Sequence, residues 1–113
     1  MRRNLSEQHA SAMAYSVIFA REAEVSRDSI LEYLLNTLHN RGAALHFLDS
    51  LDNALSVLSA SPELYALSKD PLLAKIGYRP CLFMNYVALY KFEDDVVKVA
   101  HIFHASQDYA KLV

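Results

Sequence analysis

The sequence has a single cysteine, no long apolar run and no surplus of basic charge. Because Cys81 has no second cysteine to pair with, an internal disulfide framework is excluded, which favours a reducing compartment such as the cytoplasm. No apolar run approaches the ~20 residues that cross a bilayer, so we expect no membrane association. A net charge of −2 argues against a protein that works mainly by binding nucleic acid, although it leaves a local basic patch open.

What the sequence contains is typical of one small globular domain. Of the 113 residues, 53% are hydrophobic and 21% are charged, a balance that distinguishes globular chains from disordered ones. We interpret residues 1–14 as an N-terminal tail, with a short frayed helix left open, and residues 15–113 as the folded domain. The histidines show no ligand spacing with Cys81 or with one another, so we expect no metal centre and no cofactor.

Apolar periodicity predicts a strand followed by two helices. The run "YSVIFA" (15–20) is β-rich and predicts the first strand. Apolar residues then recur at helical spacing in two stripes of a helical hairpin over residues 22–60, and the first stripe ends with Leu35 and Leu38. The stretch "NRG" separates the two helices, and Gly42 is expected to take the left-handed conformation that ends the first one. Nearly complete burial is expected for Leu34, Phe47, Leu51, Leu55 and Leu58.

The second half of the sequence predicts a short helix and three strands. Asp70 as N-cap and Pro71 at the first helical position favour a helical turn. Strand-like runs follow at 78–84, 86–92 and 96–104. Their short connections predict an antiparallel meander, in which Pro80, lacking a backbone donor, favours an outer strand. The predicted fold class is therefore α+β, with an N-terminal strand, a two-helix hairpin and a three-stranded meander in one largely antiparallel sheet.

In this order the segments resemble the RelE/ParE superfamily of bacterial toxins, from type II toxin–antitoxin systems. The resemblance covers residues 15–112 and is carried by "YSVIF", by "AALHFLDSLDNALSVLSASPE" and by "GYRPCLFMNYVALYKFEDDVVKVAHIFHASQDYAKL". The last segment is similar to a family profile in which an arginine precedes a Tyr-x-hydrophobic-x-Tyr strand, a second hydrophobic strand, a histidine and an Asp-Tyr pair. The resemblance implies that the helical hairpin covers one face of the sheet.

The same resemblance implies a toxin that a cognate antitoxin wraps and neutralises, and hence a hetero-oligomer of the two. ParE-like members poison DNA gyrase, whereas RelE-like members cleave mRNA in the ribosomal A site. We predict the ParE-like kind, because Ser106 and Gln107 stand where many relatives carry phosphate-holding arginines. A neutral amide cannot offset the charge that develops on a phosphate. The alternatives are a ribosome-dependent mRNA interferase and a small α+β binding module without activity.

Under the ribonuclease alternative, the resemblance assigns catalysis to Arg79, His104 and Tyr109. Arg79 would clamp a phosphate with its planar guanidinium, or would instead form an ion pair with Asp108 or Glu93. Histidine is the side chain most often used in acid–base chemistry, and His104 would take that role, or would instead cap its strand by hydrogen bonds. Tyr109 would act as a C-terminal catalytic tyrosine or as a buried anchoring ring.

For the antitoxin, the expected contact surface lies near Arg79, Phe83 and Tyr109. Leu82, Phe83 and Met84 are consecutive on the predicted outer strand, so at least one of them should project away from the hairpin. An exposed apolar patch of more than a few hundred Å² on a small protein usually marks an interaction site. A partner would cover such a patch by adding a strand or by laying an amphipathic helix in a groove.

Overall fold

The computed structural model describes residues 14–111. Its elements in chain order are β1 (Ser16–Phe19), α1 (Arg21–Glu32), α2 (Arg41–Ala60), α3 (Pro71–Ile76), β2 (Arg79–Phe83), β3 (Tyr86–Glu93) and β4 (Val96–His104). A π-helical turn at Tyr33–Thr37 continues α1, and a 3-10 turn at Tyr109–Lys111 follows β4. The α+β class and the order of elements are as predicted. The interpretation of residues 1–13 lies outside the described residues, within which no helix has both the length and the hydropathy of a membrane span.

The four strands form one sheet in the order β1-β4-β3-β2. The meander is antiparallel as predicted, but β1 runs parallel to β4, with Ser16 opposite Val96. A parallel neighbour requires a long crossover connection, and the helices between β1 and the meander supply it. The expectation of an outer strand at Pro80 is confirmed, because β2 lies at the sheet edge, where the missing N–H costs no ladder hydrogen bond.

The helical hairpin packs on one face of the sheet and encloses the main core. Phe47 is fully buried, and its ring centroid lies 5.8 Å from that of Phe83 and 5.0 Å from that of Tyr86. Leu34, Leu51 and Leu58 are buried in the same core, as predicted. Leu55 is only partly buried, contrary to expectation. It lies about 40° around the helix from Leu51, at the flank of the apolar stripe.

The end of the first helix differs from the sequence prediction. Gly42 lies inside the first turn of α2, and it is His39 that takes a positive φ, of 49°. The side chain of Asn40 caps α2 by accepting a hydrogen bond from the Ala43 amide at 2.9 Å. Asparagine is among the most favourable N-cap residues, so the second helix begins ahead of the glycine.

The π-helical turn explains why two residues of the first apolar stripe are not in the core. Leu35 and Leu38 are 43% and 50% exposed, although α-helical spacing places them beside the buried Leu34. A π turn inserts one additional residue and rotates the side chains that follow relative to the α-helical register. This insertion turns Leu38 toward an open groove between α1 and the sheet.

A second, smaller core lies on the opposite face of the sheet. α3 begins as predicted, since Oδ1 of Asp70 accepts hydrogen bonds from two amides of its first turn, both at 3.0 Å. Gly77 ends the helix in the left-handed conformation, with φ 105°. Leu73 of α3 packs on Leu89 and Phe103, together with the C-terminal 3-10 turn. Both faces of the sheet are therefore covered in part by protein.

Candidate functional site

The guanidinium of Arg79 is directed at the connection between α2 and α3. Nη1 donates a hydrogen bond to the backbone carbonyl of Tyr65 at 2.6 Å, and Nη2 lies 3.7 Å from the carboxylate of Glu63. The side chain is 18% exposed. Arg79 thus forms an ion pair, the alternative to a phosphate clamp, but its partner is Glu63 and neither Asp108 nor Glu93. These contacts hold the connection between α2 and α3 against strand β2.

The same connection is held by a buried hydroxyl and a buried thiol. The Tyr90 hydroxyl donates a hydrogen bond to the Pro62 carbonyl at 2.7 Å, and burial raises the pKa of Tyr90 to about 12. Burial also raises the pKa of the Cys81 thiol, although a hydrogen bond with Tyr65 opposes this shift. The pKa of Tyr65 is itself raised, first by its hydrogen bond with Cys81 and then by burial. These groups stay protonated near neutral pH, which suits a structural cluster and not a nucleophile.

Arg79→Ala is expected to lower the free energy of unfolding by about 1.5–3 kcal/mol, the range for hydrogen bonds that involve a charged group. Arg79→Lys should recover only part of this loss, because an ammonium group cannot reproduce the guanidinium fork. Urea unfolding measures the effect, and Arg41→Ala is the control, since Arg41 is exposed at the start of α2. Unchanged stability of Arg79→Ala would show that the contacts with the connection are dispensable.

His104 ends β4 in a local network of hydrogen bonds. Its Nδ1 lies 2.8 Å from the Ser106 hydroxyl and accepts a hydrogen bond from the Ser106 amide at 3.2 Å. The His104 amide donates to the side-chain oxygen of Gln107 at 2.9 Å. The imidazole also meets the Tyr86 ring edge to face, with centroids 5.7 Å apart. These contacts correspond to the capping alternative, whereas acid–base catalysis by His104 stays a prediction.

Tyr109 is half-buried against the smaller core. Its ring stacks on Phe103 with centroids 5.7 Å apart, and Phe103 in turn stacks on His101 at 4.7 Å. Nδ1 of His101 is buried and has no hydrogen-bond partner among the described residues. Tyr109 therefore occupies the position expected of an anchoring ring, on the sheet face that lies away from the hairpin.

Phe83 belongs to the core beneath the hairpin and is 8% exposed. The apolar side chains that project from this part of the chain are Leu82, which is 63% exposed, and Met84, which is 44% exposed. Strand alternation accounts for the difference, because neighbouring residues of β2 point to opposite faces. The expectation that at least one of the three residues projects outward is confirmed, but that residue is not Phe83.

The structure does not bring the three residues of the ribonuclease alternative together. Arg79 is opposite Tyr90 and His104 is opposite Tyr86 on the shared strand β3. At about 3.3 Å per residue, these positions lie about 13 Å apart along the strand direction. Tyr109 lies on the other face of the sheet. A phosphate held by Arg79 would be out of reach of both other side chains.

A groove that the sequence did not reveal lies between α1 and the C-terminal half of β4. Its volume is about 740 Å³. One helical face contributes Ser26, Ile30 and Tyr33, and the sheet contributes Tyr86 and Ile102. Burial raises the pKa of Tyr86, with a smaller contribution from Tyr33. No signal in the sequence marks this groove, because it depends on the pairing of β1 with β4, which local patterns do not predict.

The fold, a helical hairpin across one face of a four-stranded sheet, is the one that the resemblance to RelE/ParE toxins implies. The profile of the family described as "ParE toxin of type II toxin-antitoxin system, parDE" matches residues 17–109. The chain therefore belongs to the ParE toxin family of type II toxin–antitoxin systems. No protein of curated function matches it significantly in sequence.

Two solved structures show the same fold. The chromosomal ParDE toxin–antitoxin system from P. aeruginosa has a matching chain with a TM-score of 0.67 and 16% identity, covering 83% of this chain and 99% of that one. The toxin–antitoxin complex RelBE2 from Mycobacterium tuberculosis has one with a TM-score of 0.55 and 18% identity, covering 80% of this chain and 98% of that one. At these identities the likeness establishes the fold alone.

Proposed function

We propose that the protein inhibits growth by binding a protein target such as DNA gyrase, and that a cognate antitoxin neutralises it. Membership of the ParE family supports the first part. The observation that favours protein binding over RNA cleavage is the position of Arg79. This is the one arginine in the C-terminal half of the sequence, and its guanidinium is engaged by Tyr65 and Glu63.

The lysines on the sheet face away from the hairpin could stabilise little of the negative charge of a phosphate. Lys91 and Lys98 both lie beside the carboxylate of Glu93, at 3.3 and 3.4 Å. Hydrogen bonds from these two lysines, first from Lys91, lower the pKa of Glu93 and keep it ionised at neutral pH. Lys111 lies 3.6 Å from the carboxylate of Asp108. Because Glu93 offsets one of the two lysine charges beside it and Asp108 offsets that of Lys111, little net positive charge remains, and this face suits protein binding better than phosphoryl-transfer chemistry.

The proposal of an antitoxin partner is supported by the solved relatives, which are a ParDE system and a RelBE2 complex. Contact of the antitoxin with Arg79, Phe83 and Tyr109 stays a prediction. The first two lie on the hairpin side of the sheet and Tyr109 on the other. A segment that contacts all three would have to pass around the outer edge of β2, so it would need to be extended and long.

Expression of the chain alone is expected to slow growth, and co-expression with the product of the adjacent open reading frame is expected to restore it. The purified protein should inhibit DNA supercoiling by gyrase, because the proposed target is the enzyme itself. Primer extension on mRNA from translating ribosomes should show no codon-phased cleavage. The antitoxin-bound protein is the control for both assays.

Two other results would replace the proposal. Strong codon-phased cleavage that is lost in Arg79→Lys and His104→Ala, but retained in the surface variant Arg41→Ala, would identify an mRNA interferase. A chain that is harmless, monomeric and unbound beside the adjacent gene product would be an inactive binding module. Growth inhibition with normal gyrase activity and intact mRNA would support a toxin whose target is a protein other than gyrase.

A further inference from the structure

The turn between β2 and β3 holds a methionine in an unfavourable backbone conformation. Phe83 pairs with Tyr86, so the turn consists of Met84 and Asn85 alone. Met84 has a φ of 51°, in the left-handed region, whereas Asn85 does not take a positive φ. Two-residue hairpin turns usually place glycine, asparagine or aspartate where φ is positive. The chain therefore carries a long apolar side chain at a position that disfavours it.

The other non-glycine residues with positive φ in the described part of the chain follow the ordinary preference. Asp94 and Asp95 form the turn between β3 and β4, with φ values of 57° and 60°, and His39 has a φ of 49°. Aspartate and histidine, like asparagine, are enriched in this conformation. Asn85, which would suit it, is the next residue after Met84. Strain that a single substitution would relieve, but that the sequence retains, indicates a role for the Met84 side chain.

Met84 projects from the corner of the sheet together with Leu82, and we call these two side chains the β2–β3 tip. Leu82 is 63% exposed and Met84 is 44% exposed. Residues 80–90 include no charged side chain. The other end of β3 is charged, because Lys91 lies 3.3 Å from the carboxylate of Glu93. Since the tip has no charge to desolvate, it can enter an apolar pocket at little cost.

The tip is held in place, and it is poorly suited to extending the sheet. The amide of Ala105, in the turn after β4, donates a hydrogen bond to the Asn85 carbonyl at 2.7 Å and holds the turn against the end of β4. Pro80 has no N–H, so the outer side of β2 lacks a donor that an added strand would need. A partner therefore contacts the tip mainly through side chains. A short, preorganised protrusion of this kind fits a preformed pocket on a folded protein.

We propose that the β2–β3 tip is the contact through which the toxin binds its protein target, with Met84 in an apolar pocket of that target. This inference rests on the proposed function, because it names the surface that the inhibitory complex uses. Methionine suits the position, since its unbranched thioether adapts to the shape of a pocket. An extended antitoxin segment would gain more from a groove than from a protruding tip. A second copy is a poorer occupant, because two convex tips that meet cannot bury the about 800 Å² per partner of a stable dimer.

Met84→Asn tests the proposal, because asparagine accepts the positive φ and removes the apolar side chain. Growth inhibition should be lost at the soluble protein level at which the wild type inhibits. The concentration that halves DNA supercoiling by purified gyrase should rise at least about tenfold, as expected for the loss of an apolar anchor. Met84→Leu is the matched control: it keeps the strain and the apolar bulk, so both effects should change by no more than about threefold. Leu45→Ala, on the exposed side of α2, should inhibit as the wild type does.

Two further measurements separate a role in target binding from a role in the fold. Urea unfolding of Met84→Asn should show a midpoint no lower than that of the wild type, because the substitution relieves strain. Calorimetric titration with the purified product of the adjacent open reading frame should show an affinity within about threefold of the wild-type value. Loss of growth inhibition together with a lower unfolding midpoint would overturn the inference and assign Met84 to the fold.

The remaining outcomes distinguish the inference from the proposed function. A Met84→Asn variant that inhibits growth as strongly as the wild type overturns the inference while the proposed function stands. Weaker binding of the adjacent gene product with unchanged growth inhibition also overturns it, and assigns the tip to the antitoxin. If the wild type slows growth without inhibiting gyrase, the growth assay still decides, because it does not depend on which protein is the target. A wild-type chain that does not slow growth contradicts the proposed function and the inference with it.

Discussion

Leu51→Ala is expected to lower the free energy of unfolding by about 2–5 kcal/mol, the range for a buried leucine whose truncation leaves a cavity. Leu51 is 3% exposed and lies near the middle of α2, in the core between the hairpin and the sheet. The same core contains Phe47 and Phe83, whose large and rigid rings lie 5.8 Å apart. Because such rings can move only in part into the cavity, the loss of unfolding free energy should exceed the hydrophobic contribution of the removed methyl groups alone.

Leu45→Ala provides the matched control, because it is the same chemical change on the same helix. Leu45 is 52% exposed, and surface substitutions usually alter stability by no more than about 0.5 kcal/mol. Urea denaturation of both variants, followed by circular dichroism, measures the difference. Equal stabilities for the two variants would mean that the hairpin is not packed on the sheet as described.

The order of the elements was predictable because local chemistry determines each of them. Helical spacing of apolar residues marks α2 from Phe47 to Leu58, and β-rich runs with short connections mark the meander. Asp70 and Gly77 begin and end α3 with side-chain and backbone preferences that need no tertiary context. The buried leucines follow from the same spacing, since a stripe on one side of a helix must find a partner surface.

The features that the sequence did not reveal have different physical origins. The parallel pairing of β1 with β4 is set by the path of the helical hairpin between them. The π turn that exposes Leu38 leaves no mark in apolar spacing. Gly42 failed as the helix end because a competing cap, the Asn40 side chain, lies two residues earlier. The strand pairing is therefore decided by contacts between distant parts of the chain, whereas the helix boundary is decided by local competition between two capping residues.

In the candidate site too, the sequence identified residue types but not the contacts that they make. The sequence identified Arg79 as a candidate site residue. It could not identify its hydrogen-bond partner, the backbone carbonyl of Tyr65, because every residue has a backbone carbonyl. The groove depends on Ser26 and Ile102, which are 76 residues apart in the chain and meet through one hydrogen bond. The absence of arginine at Ser106 and Gln107 was visible in the sequence, whereas the hydrogen bond that Gln107 accepts from the His104 amide was not.

Raising the pH from about 10 to 12 is expected to destabilise the fold by up to about 2–3 kcal/mol through Tyr90 alone. The Tyr90 hydroxyl is buried and donates to the Pro62 carbonyl, and its pKa in the fold is about 12. A tyrosine in an unfolded chain has a pKa of about 10. Between these values the unfolded chain releases the proton while the folded chain keeps it. The stabilising contribution is therefore complete below pH ~10 and is lost as the pH rises through the folded value.

Tyr90→Phe separates this titration from other alkaline effects. At neutral pH the variant should lose about 0.5–1.5 kcal/mol, the cost of one hydrogen bond. Above pH ~10 its stability should fall less steeply than that of the wild type, although a slope should remain because the pKa values of Cys81, Tyr65 and Tyr86 are also raised. Urea unfolding at a series of pH values measures both slopes, with Tyr15→Phe as the control for loss of an exposed tyrosine hydroxyl. Parallel slopes for wild type and Tyr90→Phe would mean that the hydroxyl of Tyr90 is reached by water, and that the connection between α2 and α3 is not closed over it as the hydrogen bond to Pro62 requires.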